Sequence, residues 1–547
     1  MLQKTAILIA SIDDKNLNID NKEKDKYALD YSIILHSKVD IKYFFNGIPS
    51  NLTNLPIAIA RSWYRNLDNV DIHTSQYSSG MVLEKRTALM ISNIIKFYYS
   101  FSELAKVYKT IEVPCNYPKF LDKIFNIFKK NIKFISEQIY SEDLDRSIKK
   151  RAAIKKVSVN KYSPIFRFLQ KPFIGLMRNR TIVFPDWTYL GQKNKNYLYQ
   201  NSLNIFNSFY YKDIDKKNDG ETPKPVSINT DAIQSLLDKY NIEPNDSYNL
   251  LTLIQDIISI EYNASIKVLE QQYFVMENLI NYYKPSKVII PDDGGYAAYN
   301  MLMQVTSKSK IETVTVLDGY PMFLDVDQIR IKEDGTSPLV KNYATMGSLN
   351  HEMVGNVYPK FNRVFIKAPL LSYLSNKVKP KTIYDAVIMM PVPDAMNPNY
   401  RWDMKNRYIF DVINCLKLMK IDKIAVKIKP GPNMNDIKFL QDYFIKNNVD
   451  NVEFIQGFGY EAISKSSIVV GYLGTSVYES LIMKTPYFIY EPIYCGLTNN
   501  TMNNSIINND YIARNIEDLS ENILNKRNIK LSIEELVDGP EMSSAII

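Results

Sequence analysis

The chain has 547 residues, of which 46% are hydrophobic and 23% charged, and its formal net charge is +8. This composition is typical of a globular protein and excludes a disordered, collagen-like or coiled-coil chain. The three cysteines and three histidines lie far apart, so we expect neither a disulfide framework nor a His- or Cys-based metal site. No apolar run is long enough to cross a membrane, and no signal-peptide pattern opens the chain. We therefore expect a cytoplasmic, reduced, metal-free protein.

The first half of the chain predicts short apolar strands alternating with helices. A buried strand is expected within residues 1–10, and residues 248–283 have the spacing of one or two long helices. Strands follow at 287–290 and 312–317, with a helix over 296–305 between them. Such alternation is typical of parallel strands joined by crossover helices, which makes the expected fold class α/β.

One segment of the first half is strongly basic. Residues 119–180 contain 16 Lys or Arg and 5 Asp or Glu, a net charge of +11, so the rest of the chain carries −3. Apolar residues alternate with lysines here, which fits either an amphipathic helix pair with a solvated lysine face or a surface that contacts an anionic membrane. Nucleic-acid binding is disfavoured because no RNA- or DNA-binding motif accompanies the basic segment.

The C-terminal half has the clearest α/β pattern. Strands are predicted at 384–390, 423–429, 452–455, 467–471 and 486–490, and helices at 407–419, 436–446 and 477–483. A βα series of about 150 residues has the size of one doubly wound domain. A polar linker near 375–382 precedes it. We therefore predict an N-terminal α/β domain over 1–375, with a basic helical insert at about 118–180, and a C-terminal α/β domain over 383–535.

The turn at residues 471–476 follows a predicted strand and leads into a predicted helix. In open parallel sheets ligands bind beyond the carboxyl ends of the strands, and a helix N-terminus attracts phosphate. Gly474 allows close approach, Thr475 and Ser476 offer hydroxyl groups to a phosphate, and Glu479 can accept hydrogen bonds from a ribose. The alternative is a helix cap in which Ser476 and Glu479 form a capping box.

Two further turns follow C-terminal strands. Alternation places Lys427 and Lys429 on one face of a strand, with Lys429 and Pro430 at its carboxyl end, where a lysine can reach a phosphate. The alternative is a pair of lysines in water. Tyr490 ends the last predicted strand, where its ring can stack on a base or pack in the core.

Carboxylates follow several predicted strands of the first half. A carboxylate at such a place can act as a general base towards an acceptor hydroxyl, although Asp-Gly sequences also occur in ordinary tight turns. The residues alone do not choose among the candidates, which are Asp13, Asp14, Asp186, Asp292, Asp293 and Asp318.

The C-terminal half resembles the nucleotide-binding domain of the GT-B glycosyltransferases that build bacterial surface polysaccharides. The resemblance rests on VKIKPGPN at 426–433, SSIVVGYLGTSVYESLIMKTP at 466–486 and FIYEPIYCGLT at 488–498. The pattern is most similar to the capsule and lipopolysaccharide enzymes that transfer Kdo or sialic acid from CMP-sugars. Lys429-Pro430 stands where those families usually carry His-Pro. Residues 292–295 and 317–321 match their acceptor-side turns, the second without the usual His.

The resemblance implies two doubly wound domains that face a central cleft, with the donor on the C-terminal domain and the acceptor on the N-terminal one. It implies displacement at an anomeric carbon, with inversion, in which a carboxylate among Asp186, Asp292, Asp293 and Asp318 deprotonates the acceptor. Lys429, Thr475, Ser476 and the helix N-terminus would stabilise the donor phosphate, so neither a metal nor another cofactor is expected.

The implied donor is a nucleotide-sugar such as CMP-Kdo, and the implied acceptor is a surface-polysaccharide or lipid-linked glycan at the inner face of the membrane. Three alternatives stay open. Two share the fold, namely a sugar-nucleotide epimerase and a polyol-phosphate transferase, but both would be expected to carry histidines in the cleft. The third is a non-catalytic α/β binding module.

Overall fold

The computed structural model describes residues 5–9, 24–29, 31–37, 40–66, 77–113, 116–117, 121–134, 139–140, 181–183, 226–290, 297–316, 339, 341–357, 361–368, 371, 374, 381–391, 404–428, 440–445, 449–492, 494, 509–529, 531–540 and 545. These residues form three parallel sheets of five or six strands and one separate pair of short strands. The predicted α/β class is confirmed. In this part of the chain, no helix is both long and apolar enough to cross a membrane.

The first sheet has the strand order β3-β2-β1-β4-β6. Its strands are β1 Thr5–Ile9, β2 Lys24–Ala28, β3 Lys42–Tyr43, β4 Thr110–Val113 and β6 Ile132–Phe134, and the separate pair is β5 Asn116–Tyr117 with β7 Ile139–Tyr140. The accompanying helices are α1 Tyr31–His36, α2 Leu55–Ser62, α3 Ser79–Val107 and α4 Asp122–Ile127. In β1, the last four residues are fully buried, which confirms the predicted first strand.

The second sheet has the order β12-β11-β10-β9-β8. Its strands are β8 Thr181–Val183, β9 Lys287–Ile290, β10 Glu312–Thr315, β11 Asn342–Met346 and β12 Asn362–Ile366. The helices of this part of the chain are α5 Thr230–Lys239, α6 Pro244–Tyr283, α7 Ala297–Lys308 and α8 Gly347–Val357. Helix α5 and the first part of α6 pack in the core of the first sheet, and the later part of α6 packs with the second. The predicted long helical segment is one helix of 40 residues, α6, which begins at Pro244 and ends at Tyr283, followed by the C-cap residue Lys284 in the left-handed region.

The third sheet has the order β15-β14-β13-β16-β17-β18. Its strands are β13 Tyr384–Met389, β14 Ile424–Lys427, β15 Val452–Ile455, β16 Ser466–Gly471, β17 Tyr487–Tyr490 and β18 Ile512–Ala513. Its helices are α9 Met404–Leu418, α10 Gly459–Ile463, α11 Thr475–Ile482, α12 Ile516–Leu524 and α13 Ile533–Val537. This is the doubly wound order, in which the chain runs outward from the middle and then restarts beside its first strand.

The second and third sheets share one hydrophobic core. A single cluster of buried residues includes Val314 and Met346 from the second sheet and Val469, Val477 and Leu536 from the C-terminal part. The chain after α13 also bonds to the second sheet region, since Pro540 O accepts from Lys367 N at 2.7 Å. All strands of the third sheet lie within the predicted 383–535 domain, and the division into two domains stays a prediction.

The described part of the basic segment is packed against the first sheet. Ile124 is fully buried, and the ring of Phe125 lies 5.1 Å from that of Phe101 in α3. Lys129 and Lys130 are exposed. Leu121, Ile124 and Phe125 therefore belong to the core, whereas Phe134 is 38% exposed. The predicted helix pair is one short helix, α4, followed by strand β6, and Lys129 and Lys130 lie between them. Residues 141–180 lie outside the described part.

Candidate functional site

The candidate site lies at the carboxyl edge of the third sheet, where the strand order reverses between β13 and β16. Lys427 at the end of β14 is paired with Met389 at the end of β13. On the other side of β13, a β-carbon placed on Gly471, the last residue of β16, would lie 3.0 Å from the Met389 β-carbon. Three adjacent strands thus end in one row, which is the position of ligand crevices in doubly wound sheets.

The turn after β16 presents a helix N-terminus without a side-chain cap. Helix α11 begins at Thr475, and its N-cap residue is Gly474, whose backbone is extended with φ −161°. Ser476 is already inside the first turn, so the capping box predicted for Ser476 and Glu479 does not form. The first-turn N–H groups have no capping oxygen from Gly474 and can face an anion. The Thr475 side chain is exposed beside them.

The hydroxyl of Ser476 is engaged by Tyr487 on the neighbouring strand. Tyr487 Oη donates its single proton to Tyr472 O at 2.8 Å, and it lies 3.0 Å from Ser476 Oγ. Because that proton is already used, the Ser476 hydroxyl must be the donor in the second bond. The predicted role of Ser476 as a hydroxyl donor to phosphate therefore does not fit this geometry, whereas its backbone N–H remains part of the helix N-terminus.

Glu479 places a buried carboxylate within the same edge of the sheet. Its side chain is 6% exposed, and a β-carbon on Gly459 at the start of α10 would lie 2.8 Å from Glu479 Oε2. Gly459 therefore allows the carboxylate to approach the backbone after β15. Next to it, the rings of Phe458 and Tyr460 are stacked, with centroids 5.4 Å apart.

Glu491 and Arg514 lie at the site but are not among the predicted site residues. Glu491 directly follows β17 and is 1% exposed. It accepts a hydrogen bond from Leu473 N at 2.9 Å, and Arg514 Nη1 lies 3.4 Å from its Oε2. Burial raises the pKa of the Glu491 carboxyl, while the Leu473 N–H and the Arg514 charge oppose that rise. The signal that would have found Glu491 is the one used for the other turns, a polar residue directly after a parallel strand.

The remaining predicted donor residues are only partly described. Lys427 is buried at 6% exposure, and its Nζ donates to Ile428 O at 2.5 Å. Lys429 and Pro430 lie outside the described residues. Tyr490 is 1% exposed, and its ring centroid lies 5.1 Å from that of Tyr408 in α9. Of its two predicted roles, packing is therefore the one that the structure supports, and stacking on a base is wrong for this buried ring.

The predicted catalytic carboxylates Asp186, Asp292, Asp293 and Asp318 lie outside the described residues. The strands that precede them are described and are neighbours, since β8 pairs with β9 and β9 pairs with β10 in parallel. Because these strands are parallel, their carboxyl ends lie at the same edge of the second sheet, and each of the four carboxylates follows one of them in the sequence. Among the described residues, no group of three or more His, Cys, Asp or Glu side chains is placed to hold a metal ion.

No protein-family model and no curated protein matches the chain. Solved structures are similar to it at low identity. The Methanocaldococcus jannaschii UDP-GlcNAc 2-epimerase in complex with UDP-GlcNAc and UDP is 12% identical, with a TM-score of 0.33, and the match covers 50% of this chain and 78% of that one. S. aureus MnaA with UDP is 10% identical, with a TM-score of 0.39 and coverage of 66% and 93%. A glycosyltransferase from Rickettsia africae is 12% identical, with a TM-score of 0.30 and coverage of 56% and 80%. The α/β class of this chain rests on its own parallel sheets.

Proposed function

We propose that the chain is a GT-B glycosyltransferase that uses a nucleotide-activated sugar. The observation that carries this proposal is the helix N-terminus at Thr475, which has a glycine N-cap and lies beside the point where the strand order of the third sheet reverses. Backbone N–H groups and the helix dipole favour a phosphate there. A nucleoside mono- or diphosphate is the ligand class that such a crevice binds in doubly wound sheets.

In this proposal each donor-side residue has a distinct task. The N–H groups of the first turn and the Thr475 hydroxyl bind the donor phosphate, and Lys427 at the end of β14, with Lys429 two residues later in the sequence, adds positive charge. Glu479 accepts hydrogen bonds from the ribose hydroxyls, for which a buried carboxylate with two oxygens is suited. These groups stabilise the negative charge of the nucleotide as it leaves, so the proposed reaction needs no metal.

The acceptor side of the proposed reaction is the carboxyl edge of the second sheet. A carboxylate that follows one of its strands in the sequence, Asp186, Asp292, Asp293 or Asp318, removes the proton from the acceptor hydroxyl as that oxygen attacks the anomeric carbon. Attack from the face opposite the leaving phosphate inverts the anomeric centre. Asp→Asn variants at these four positions, assayed one at a time, identify the base as the one whose loss abolishes transfer while nucleotide binding is retained.

The finer assignment follows the motifs at 426–433 and 466–498. We propose a CMP-sugar such as CMP-Kdo as the donor and a capsular, lipopolysaccharide or other lipid-linked glycan as the acceptor, at the cytoplasmic face of the membrane. Because the apolar residues Ile124 and Phe125 pack in the core, contact with anionic lipid would depend on charge alone, through the exposed lysines Lys129, Lys130 and Lys133. Co-sedimentation with anionic vesicles tests that contact. Binding that is unchanged after the three lysines are replaced by glutamate would exclude it.

A thermal-shift titration with CMP, CDP, UDP and GDP tests the donor site. A nucleotide present at 100 times its dissociation constant should stabilise the chain by about 2.7 kcal/mol. A Thr475→Val variant should need more nucleotide for the same shift, whereas Glu453→Gln, on the amino side of the same sheet, should not. If none of the four nucleotides changes the melting temperature, the proposed donor site is wrong.

Product analysis separates transfer from epimerisation. The chain is incubated with CMP-Kdo or with UDP-GlcNAc, with and without a mixture of glycan acceptors. A transferase releases nucleotide in proportion to the glycosylated acceptor. Conversion of the sugar to its epimer without any acceptor would instead favour the epimerase alternative.

A further inference from the structure

One peptide plane in the donor turn is held on both sides by residues from the neighbouring strand. The plane between Tyr472 and Leu473 contains one carbonyl oxygen and one N–H group. The oxygen accepts from Tyr487 Oη at 2.8 Å, and the N–H donates to Glu491 Oε1 at 2.9 Å. Both partners belong to β17 or directly follow it.

The Glu491 carboxylate, which accepts the hydrogen bond from Leu473 N, has a second partner in Arg514. Arg514 Nη1 lies 3.4 Å from Glu491 Oε2 and donates to Glu491 O at 3.2 Å. Glu491 is 1% exposed, and a buried carboxylate is costly unless it is paired and hydrogen-bonded. The Leu473 N–H binds one carboxylate oxygen and the Arg514 guanidinium lies near the other, which meets that requirement.

We propose that Glu491 is a positioning residue of the donor site and that Arg514 supports it, an inference that rests on the proposed function. By fixing the Tyr472–Leu473 peptide plane, the carboxylate determines where the next residues, 474–476, direct their N–H groups. If that plane rotates, the N-terminus of α11 no longer points at one place, and the donor phosphate loses its preorganised site. Glu491 acts through the backbone and does not touch the donor.

Two conservative variants separate reach from charge. Glu491→Asp keeps the charge but withdraws the carboxylate by about 1.5 Å, the length of one C–C bond, which takes it out of hydrogen-bond range of Leu473 N. Glu491→Gln gives up the charge but keeps an oxygen of the same reach. Glu453→Gln is the matched control, because Glu453 is a carboxylate of the same sheet that accepts from Tyr384 Oη at 2.8 Å.

The full-length chain is titrated with UDP and with CMP, and amide hydrogen exchange is followed in peptides that cover residues 472–476. We expect Glu491→Asp to weaken nucleotide binding about tenfold or more and to speed exchange in these peptides by a similar factor. Glu491→Gln keeps the acceptor for Leu473 N but turns an amide NH2 towards Arg514, so it should weaken binding and speed exchange less than Glu491→Asp does. Exchange in α6 should be unchanged in both variants, which shows that they are folded.

Two results would overturn the inference. If Glu491→Gln weakens binding while Glu491→Asp does not, the charge opposite Arg514 matters and the bond to Leu473 does not. If both variants bind and exchange like the unmodified chain, the peptide plane needs no carboxylate. If the unmodified chain binds neither nucleotide, the proposed function and the donor role fall together, while the exchange rates still show whether Glu491 holds the turn.

Discussion

The hydroxyl of Tyr487 occupies the space that a β-carbon would need at Gly471, the last residue of β16. From that place it reaches both Tyr472 O and Ser476 Oγ. The glycine is therefore required for space and not for an unusual backbone conformation. Because Gly471 has no side chain, Tyr487 of β17 can bond to the turn that follows β16.

Gly471→Ala should destabilise the chain. The added β-carbon would collide with Tyr487 Oη and lie 3.0 Å from the Met389 β-carbon, so we expect the free energy of unfolding to fall by about 1–3 kcal/mol. Gly474→Ala is the matched control, since the atoms nearest to its β-carbon would be those of the Tyr472 side chain, at an ordinary contact distance of 3.4 Å or more. Urea unfolding measures both losses of free energy, provided that the variants have the same m-value as the unmodified chain. Equal losses, or a larger loss at Gly474, would contradict the steric argument.

Thr475→Val and Ser476→Ala should differ in their effect on nucleotide binding. The Ser476 proton is directed to Tyr487, so its loss should change the dissociation constant by less than about threefold. The exposed Thr475 hydroxyl is available to a phosphate, and its loss should weaken binding by about threefold to tenfold. Isothermal titration calorimetry with CMP and UDP measures both constants. The reverse order would show that Ser476 and not Thr475 binds the ligand through its hydroxyl.

Asp411 should make stability depend on pH in the acidic range. Burial raises the pKa of Asp411 above its ordinary value of 3.8, and the hydrogen bond from Tyr494 and the charge of Arg407 oppose that rise only in part. The folded chain therefore holds this proton more tightly than the unfolded chain, and the stabilisation it gives is complete below pH 3.8. It is lost as the pH rises through the folded pKa.

Asp411→Asn isolates that contribution. The unfolding free energy of the unmodified chain, minus that of the variant, should fall as the pH rises above about 4 and then become constant. Asparagine keeps an oxygen that can accept from Tyr494 Oη, a bond that measures 2.5 Å in the aspartate chain. A difference that grows with pH would mean that the Asp411 pKa is lowered and that Arg407 outweighs burial.

Arg407→Lys should weaken the contact between α1 of the first sheet region and Tyr494, which follows β17. The guanidinium carbon lies 3.9 Å from the ring centroid of Tyr494 and 5.3 Å from that of Tyr31 in α1. Lysine has no planar group that could stack on these rings. We therefore expect the free energy of unfolding to fall by about 0.5–2 kcal/mol. In a double-mutant cycle with Tyr31→Leu the two losses should not add. Additive losses would show that Arg407 acts on Tyr494 alone.

The strands of the third sheet could be predicted because they are covered on both faces. Such strands are continuous apolar runs, and Val469 and Val470 in β16 are both fully buried. The start of α11 is harder to predict, because the S-x-x-E pattern at Ser476 and Glu479 is typical of a capping box, whereas the N-cap residue is Gly474, two positions earlier. The local pattern alone does not show which residue supplies the cap.

Two other features depend on contacts that are distant in sequence. The alternation of Lys and Phe over 119–135 is the same whether the apolar face meets a membrane or a core, and Phe101 of α3 decides it by contacting Phe125. Glu491 is 18 positions away from Leu473, and Arg514 is 23 positions beyond Glu491. No spacing rule for helices or strands relates these three residues, so their cluster could be found only from the fold.

The chain after α13 returns to the second sheet region, where Asp538 Oδ1 accepts from Ser348 N at 2.6 Å. Together with the shared buried cluster, this contact couples the second and third sheets thermodynamically. In differential scanning calorimetry we expect them to unfold under one endotherm and not two. Cleavage of the chain near residue 378 would leave two fragments that remain associated, and neither should show a cooperative transition when isolated.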